Sequence, residues 1–206
     1  MALSGGRIAG RFFAAVVALA PKLCPLVARV EFFWADERCV PPDHPESSFA
    51  LAQRALLRPL GVAPQRIHRL QGELAPDLAA QAGEAEVRRW LPVNGRGQPV
   101  FDLVLLGMGE DGHVASLFPG APAAVAASAA VYLAVIGPKP PRQRITLGYA
   151  PLAAAREVWV LVSGPGKEAA LRESLHPRGR TPLARVLQSR PATVIMSDVT
   201  DKELPS

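Results

Sequence analysis

The sequence has little cysteine, few aromatic residues and no long apolar run. Two cysteines, Cys24 and Cys39, are too few for a disulfide scaffold or a cysteine-built metal site. Buried reduced thiols are the simpler reading, and they suit the cytoplasm. Aromatic residues make up 6% of the chain and do not interleave with arginine, so the stacking platform that single-stranded nucleic acid requires is missing. The apolar stretch "FFAAVVALA" at 12–20 is too short to span a bilayer. Arg7 and Arg11 precede it, and Ala18-Leu19-Ala20 resembles a signal-peptidase site. Pro21 directly after that site opposes cleavage, so the stretch reads as a packed helix that Pro21 stops. There is no internal repeat and no low-complexity segment.

What is present fits one globular domain over residues 1–206, with 49% hydrophobic and 20% charged residues. The formal net charge of +5 favours anionic partners: nucleic acid, acidic membranes or phosphorylated metabolites. The basic residues are mostly scattered arginines, with one looser cluster at Arg178 and Arg180. That distribution points away from nucleic acid, and no membrane partner is expected.

Apolar runs at 29–35, 101–106, 130–136, 157–162 and 192–196 read as strands buried on both faces, as in a parallel sheet. Helical patterns lie between them at 45–60, 75–91 and 166–175, and Thr181-Pro182 reads as an N-cap followed by Pro at the first helical position. The alternation predicts an α/β fold with a mainly parallel sheet flanked by helices. Ligands in such sheets bind at the carboxyl ends of strands, so the loops after residues 35, 106 and 162 are where a site is sought.

The loop "LLGMGEDGHVASLFPG" (105–120) contains a literal G-x-G-x-x-G at Gly107, Gly109 and Gly112. Glu110 and Asp111 would oppose a pyrophosphate there, and no Asp or Glu follows between His113 and Arg156 to bind a ribose. The loop therefore does not read as a dinucleotide site. It reads either as a presenter of His113, a general base oriented by Asp111 two residues earlier, or as a capping Asp beside a partly buried His. Asp36, Glu37 and Arg38 end another apolar run. Three charges there either serve a site or form a local ion pair. An arginine suits a carboxylate, a phosphate or a developing oxyanion. "VSGPGK" (162–167) is too short for a P-loop, but amides at a helix start plus Lys167 suit a phosphate, with Arg142 and Arg144 able to help. The other reading of Lys167 is a solvent-facing residue beside a turn. "LSGG" (3–6) offers backbone amides to a phosphate.

In order along the chain, "LSGG", "FFWADERCVPPDHPESSFALA", "RIHRLQGE", "FDLVLLGMGEDGHVASLFPG", "PKPPRQRITL" and "AAREVWVLVSGPGKEAAL" resemble the 6-phosphogluconolactonase family. The resemblance implies a fold related to the glucosamine-6-phosphate deaminases and ribose-5-phosphate isomerases. It implies hydrolysis of 6-phospho-D-glucono-1,5-lactone to 6-phospho-D-gluconate in the oxidative pentose phosphate pathway, with no metal and no organic cofactor. Under it His113 is the catalytic histidine with Asp111 as its orienter. Arg38 is the arginine of the W-x-D-E-R motif. Arg144 and Lys167 lie at the phosphate, and Ser4, Gly5, Gly6 and Asp36 line the substrate.

Three departures stand out. Arg7, Ile8 and Ala9 follow "LSGG" where the family commonly has Ser-Thr-Pro, and Ala153 stands where an Asn is usual. The chain also begins almost at "LSGG", so the first strand is expected to be truncated. These departures keep open a phosphosugar-binding relative with weak or no catalysis. A deaminase-type isomerase is opposed by "VASLFPG" after His113, which lacks the carboxylate that branch carries there.

Overall fold

The computed structural model describes residues 1–20 and 27–199, so Pro21 as a helix stop and the thiol of Cys24 lie outside the described residues. Five strands form a parallel sheet in the order β2-β1-β4-β7-β8. They are β1 (Ala2–Leu3), β2 (Phe33–Trp34), β4 (Leu103–Gly107), β7 (Glu157–Val162) and β8 (Val194–Ser197). A second, antiparallel sheet is built from β3 (Asp36–Arg38), β5 (Tyr132–Ile136) and β6 (Gln143–Leu147), in the order β3-β6-β5.

Among the described residues the α-helices are α1 (Arg7–Ala18), α2 (Ser48–Ala52), α3 (Pro76–Trp90), α4 (Ala123–Ala127), α5 (Tyr149–Ala154), α6 (Glu168–Leu175) and α7 (Pro182–Gln188). A single π turn, Gln53–Leu57, continues α2. Two starts are capped from the sequence: Ser47 Oγ accepts the Ala50 amide ahead of α2, and Thr181 Oγ1 accepts the Ala184 amide ahead of α7.

The core is continuous around the parallel sheet, with Trp34, Phe13, Phe33, Phe101, Leu105 and Leu106 among its fully buried side chains. Each such residue contributes about 1.5–3 kcal/mol by leaving water. Short as it is, β1 is buried and hydrogen-bonded between two neighbours, Ala2 standing opposite both Phe33 and Val104.

Three apolar runs behave differently from the sequence reading; one of them, 192–196, joins the parallel sheet as β8 but is largely exposed there, with Val194 at 42% and Met196 at 38%. The 29–35 run pairs in the parallel sheet only at Phe33–Trp34, and the chain then crosses to the small sheet, making a strand of Asp36–Arg38 where a loop was expected. The 130–136 run forms β5, antiparallel to β6, rather than a strand of the parallel sheet. β6 went unread because "QRITL" carries two polar residues ahead of its apolar end. In β5 only Tyr132 is fully buried, and Ile136 is 63% exposed, so an unbroken apolar run did not mean burial on both faces here.

Candidate active site

The strand order sets β4 between β1 and β7, so three chain segments leave the sheet side by side at its carboxyl edge. These are Ser4-Gly5-Gly6 running into α1, the Met108–His113 loop, and the Ser163–Lys167 turn running into α6. The 108–113 loop closes on itself, with the Gly109 amide donating to the His113 carbonyl at 2.9 Å and Met108 bridging Val114. Gly112 has φ 78° and lies against Thr181, so the turn needs both its left-handed backbone and its missing side chain.

Within this turn Asp111 Oδ1 accepts the His113 amide at 3.1 Å and stands 2.6 Å from His113 Nδ1. A carboxylate against Nδ1 keeps the proton there and leaves the Nε2 lone pair for a substrate or water. Burial would raise the Asp111 carboxyl, but the bonds from the His113 side chain and amide outweigh it and hold it below the ordinary value. Phe118 packs on the imidazole with ring centroids 4.8 Å apart, and the Arg144 guanidinium lies 6.0 Å from the Phe118 ring centroid.

Alternation along β3 places Asp36 and Arg38 on one face of the small sheet, opposite Thr146 and Arg144 respectively. Two arginines directly across an antiparallel pair repel one another unless an anion sits with them. Arg144 is 9% exposed, and its Nε donates to the Pro141 carbonyl at 2.6 Å. Burial and then the charge of Arg38 push Arg144 below the ordinary arginine value, with Asp36, Glu46 and Glu37 opposing. Asp36, 5% exposed, accepts from Ser116 Oγ at 2.7 Å, and the Ser116 amide donates to Thr146 Oγ1. This polar knot ties the small sheet to the segment that follows His113.

Arg38 Nη1 donates to the Glu46 carbonyl at 3.0 Å and to Ser48 Oγ at 3.2 Å, while its Nε is buried without a partner among the described residues. A Cβ on Gly5 would collide with Ser48 Oγ and come within 3.1 Å of Arg38 Nη1, so Gly5 is where the start of α1 meets this arginine. Ser4 is 6% exposed, and its buried Oγ also lacks a partner among the described residues. Gly6, at φ 91°, begins α1 with no side-chain cap, which leaves the amides of the first turn available.

Lys167 precedes α6 as its N-cap residue. Burial and then Arg7 lower its ammonium from the ordinary lysine value, while Glu110 and Asp198 oppose. The charges bearing on Arg144 are those of Arg38, Asp36, Glu46 and Glu37, whereas Arg7, Glu110 and Asp198 bear on Lys167.

Sequence reasoning missed Glu37 as more than a strand-end charge. It is 2% exposed and accepts four hydrogen bonds, from the amides of Arg38, Ser48 and Phe49 and from Ser47 Oγ. Burial pushes its carboxyl above the ordinary value against those four bonds. All four partners are donors, so the geometry accommodates the carboxylate. The signal was the "ESS" turn ten residues later, whose serines begin α2. Ser116 and Phe118 were also missed, since neither type signals a site by itself.

Among the described residues no group of three or more His, Cys, Asp or Glu side chains could hold a metal ion, and no helix is long and apolar enough to cross a membrane.

A family model described as glucosamine-6-phosphate isomerases/6-phosphogluconolactonase matches residues 1–196. A 6-phosphogluconolactonase of Mycobacterium tuberculosis is 40% identical over 152 residues, covering 72% of this chain and 62% of the relative. A human 6-phosphogluconolactonase is 36% identical over 188 residues, covering 91% of this chain and 72% of the human one. Among solved structures, the 6-phosphogluconolactonase of Trypanosoma brucei superposes with a TM-score of 0.81 at 26% identity, covering 95% of this chain and 83% of that one. The matched region thus spans a little under two thirds of the mycobacterial protein's length.

Proposed function

The chain belongs to the glucosamine-6-phosphate isomerase/6-phosphogluconolactonase family, and from that premise we propose that it hydrolyses 6-phospho-D-glucono-1,5-lactone to 6-phospho-D-gluconate in the cytoplasm. The observation that carries this reading is the 2.6 Å contact between His113 Nδ1 and Asp111 at the carboxyl end of β4, with Phe118 against both that imidazole and Arg144, the cross-strand neighbour of Arg38. A lactone carbonyl is already electrophilic, so the reaction needs a base for water and a positive group for the developing oxyanion, but no covalent nucleophile.

His113 Nε2 takes a proton from water as the water oxygen bonds to C1. The carbonyl electrons move onto oxygen, where Arg38 stabilises them, with Arg144 adding positive potential from across the strand pair. As the tetrahedral intermediate collapses, the bond from C1 to the ring oxygen breaks. The imidazolium returns its proton to that oxygen, the new carboxylic acid releases its own proton to solvent, and the product carboxylate remains against Arg38. Asp111 holds the imidazole through Nδ1 throughout. Lys167, Ser4 and the amides of Gly5 and Gly6 hold the phosphate, and Asp36 secures the face of the small sheet that carries Arg38.

The test is to supply freshly generated lactone to the purified chain and subtract its spontaneous hydrolysis. Turnover of the lactone, with no ammonia released from glucosamine 6-phosphate, supports the reading. Lactone consumption no faster than the blank refutes it.

A further inference from the structure

Arg38 reaches its task through a turn of chain far from it in sequence. Among the described residues the guanidinium is tied by Nη1 alone, to the Glu46 carbonyl and Ser48 Oγ, and both acceptors lie on the turn that enters α2. That turn is itself folded onto β3 by one carboxylate. Glu37 Oε1 accepts the amides of Arg38 at 2.8 Å and Ser48 at 2.7 Å, while Oε2 accepts the Phe49 amide at 2.7 Å and Ser47 Oγ at 2.9 Å. Ser47 Oγ is committed in turn to the Ala50 amide. Glu37 is 2% exposed and Ser48 1%, so water does not compete for these contacts. The outcome is a guanidinium held at one corner, with the buried Nε left as an unpaired donor.

We propose that Glu37 is a positioning residue for the lactone site: it does not touch substrate, but it fixes the Ser47–Phe49 turn so that Arg38 presents its second amino group to the oxyanion. The inference rests on the proposed lactonase reading for what Arg38 does, though not for how Arg38 is held. Strand alternation explains the division of labour. Asp36 and Arg38 face the site, whereas Glu37 between them points to the other face and meets the start of α2. A glutamine cannot replace it, because either orientation of the amide sets its NH2 against a backbone N–H that now donates to an oxygen.

The experiment is a double-mutant cycle on the full chain with Glu37→Gln, Arg38→Ala and the double variant, each checked by circular dichroism. Glu37→Gln lowers kcat/KM by about tenfold, the scale of one misplaced hydrogen bond to a charged group, but changes it less than about twofold when Arg38 is already alanine. Equal losses in both backgrounds would mean a general structural role and would overturn the proposal. In parallel, nuclear magnetic resonance of the 15N-arginine-labelled protein reads the Arg38 Nε–H directly. Its resonance, assigned by its loss in Arg38→Ala, shifts or broadens in Glu37→Gln. An unchanged resonance also overturns the proposal. Should the wild-type chain lack lactonase turnover, the functional reading fails while this spectrum still decides the positioning. Should Glu37→Gln not fold, Ser48→Ala takes its place in the same cycle and spectrum, removing one acceptor of Nη1 and leaving the carboxylate's bonds to the backbone intact.

Discussion

Gly109→Ala separates the placing of His113 from the folding of the chain. A Cβ at this position falls inside the van der Waals envelope of His113 Nδ1 and Cε1 and lies 2.8 Å from Asp111 Oδ1. Gly109 is not in the left-handed region that only glycine favours, so alanine acts through that collision. Relief requires the imidazole to retreat by more than an ångström, which breaks the 2.6 Å contact with Asp111 and carries Nε2 away from its water. A misplacement of about 1 Å at a reacting group costs on the order of 10²-fold in rate. The stability cost is small by comparison, about 1 kcal/mol, because the His113 side chain is 32% exposed and can swing outward instead of straining the core. We therefore expect kcat for the lactone to fall about a hundredfold while the thermal midpoint moves by only a few degrees. Lactone turnover and differential scanning fluorimetry on the same preparation provide both numbers. A Gly109→Ala protein with near-normal kcat would refute the placement of His113. A large loss of midpoint would mean that the loop glycine serves folding rather than the site.

Arg38→Lys is expected to keep about a tenth of the wild-type kcat/KM, because one ammonium cannot hold the Glu46 carbonyl and also offer a planar fork to the oxyanion; equal rates would make Arg38 peripheral. Lys167 has a lowered folded value, so its charge is lost earlier as pH rises. Calorimetric binding of 6-phosphogluconate should weaken on the alkaline side at pH values where an ordinary lysine is still charged, and Lys167→Arg should remove that limb. Arg190, 9% exposed, donates to the carbonyls of Leu152, Ala155, Arg156 and Ala192 at the end of the sheet away from the site. Arg190→Ala leaves these acceptors unpaired and should cost about 3 kcal/mol in urea unfolding, with kcat unchanged at low temperature.

The parallel strands β4, β7 and β8 were legible because each is a short apolar run bounded by turn residues, and the helix starts at Ser47 and Thr181 because their hydroxyls cap in place. The small sheet was not. "ADER" and "QRITL" carry the site's charges, and charge masks the period of a strand. Only the pairing of Arg38 with Arg144 and of Asp36 with Thr146 reveals why both segments extend. His113 with Asp111 was readable from spacing, since two residues in a glycine turn suffice to close that contact. The Glu37 network was not, because it joins residues ten to twelve positions apart, through the Ser47 hydroxyl and through two backbone amides that any side chain would leave in the same place.

The central claim, that His113 is the base of a lactonase site, is tested most directly by comparing the wild-type chain with His113→Ala on freshly made 6-phosphogluconolactone, the spontaneous rate subtracted and 6-phosphogluconate affinity measured alongside. The account predicts a loss of kcat of about 10²–10⁴-fold with product affinity preserved within a few-fold. A His113→Ala protein that turns over the lactone within about twofold of the wild type, at the scale of error for such assays rather than of proton transfer, would contradict it.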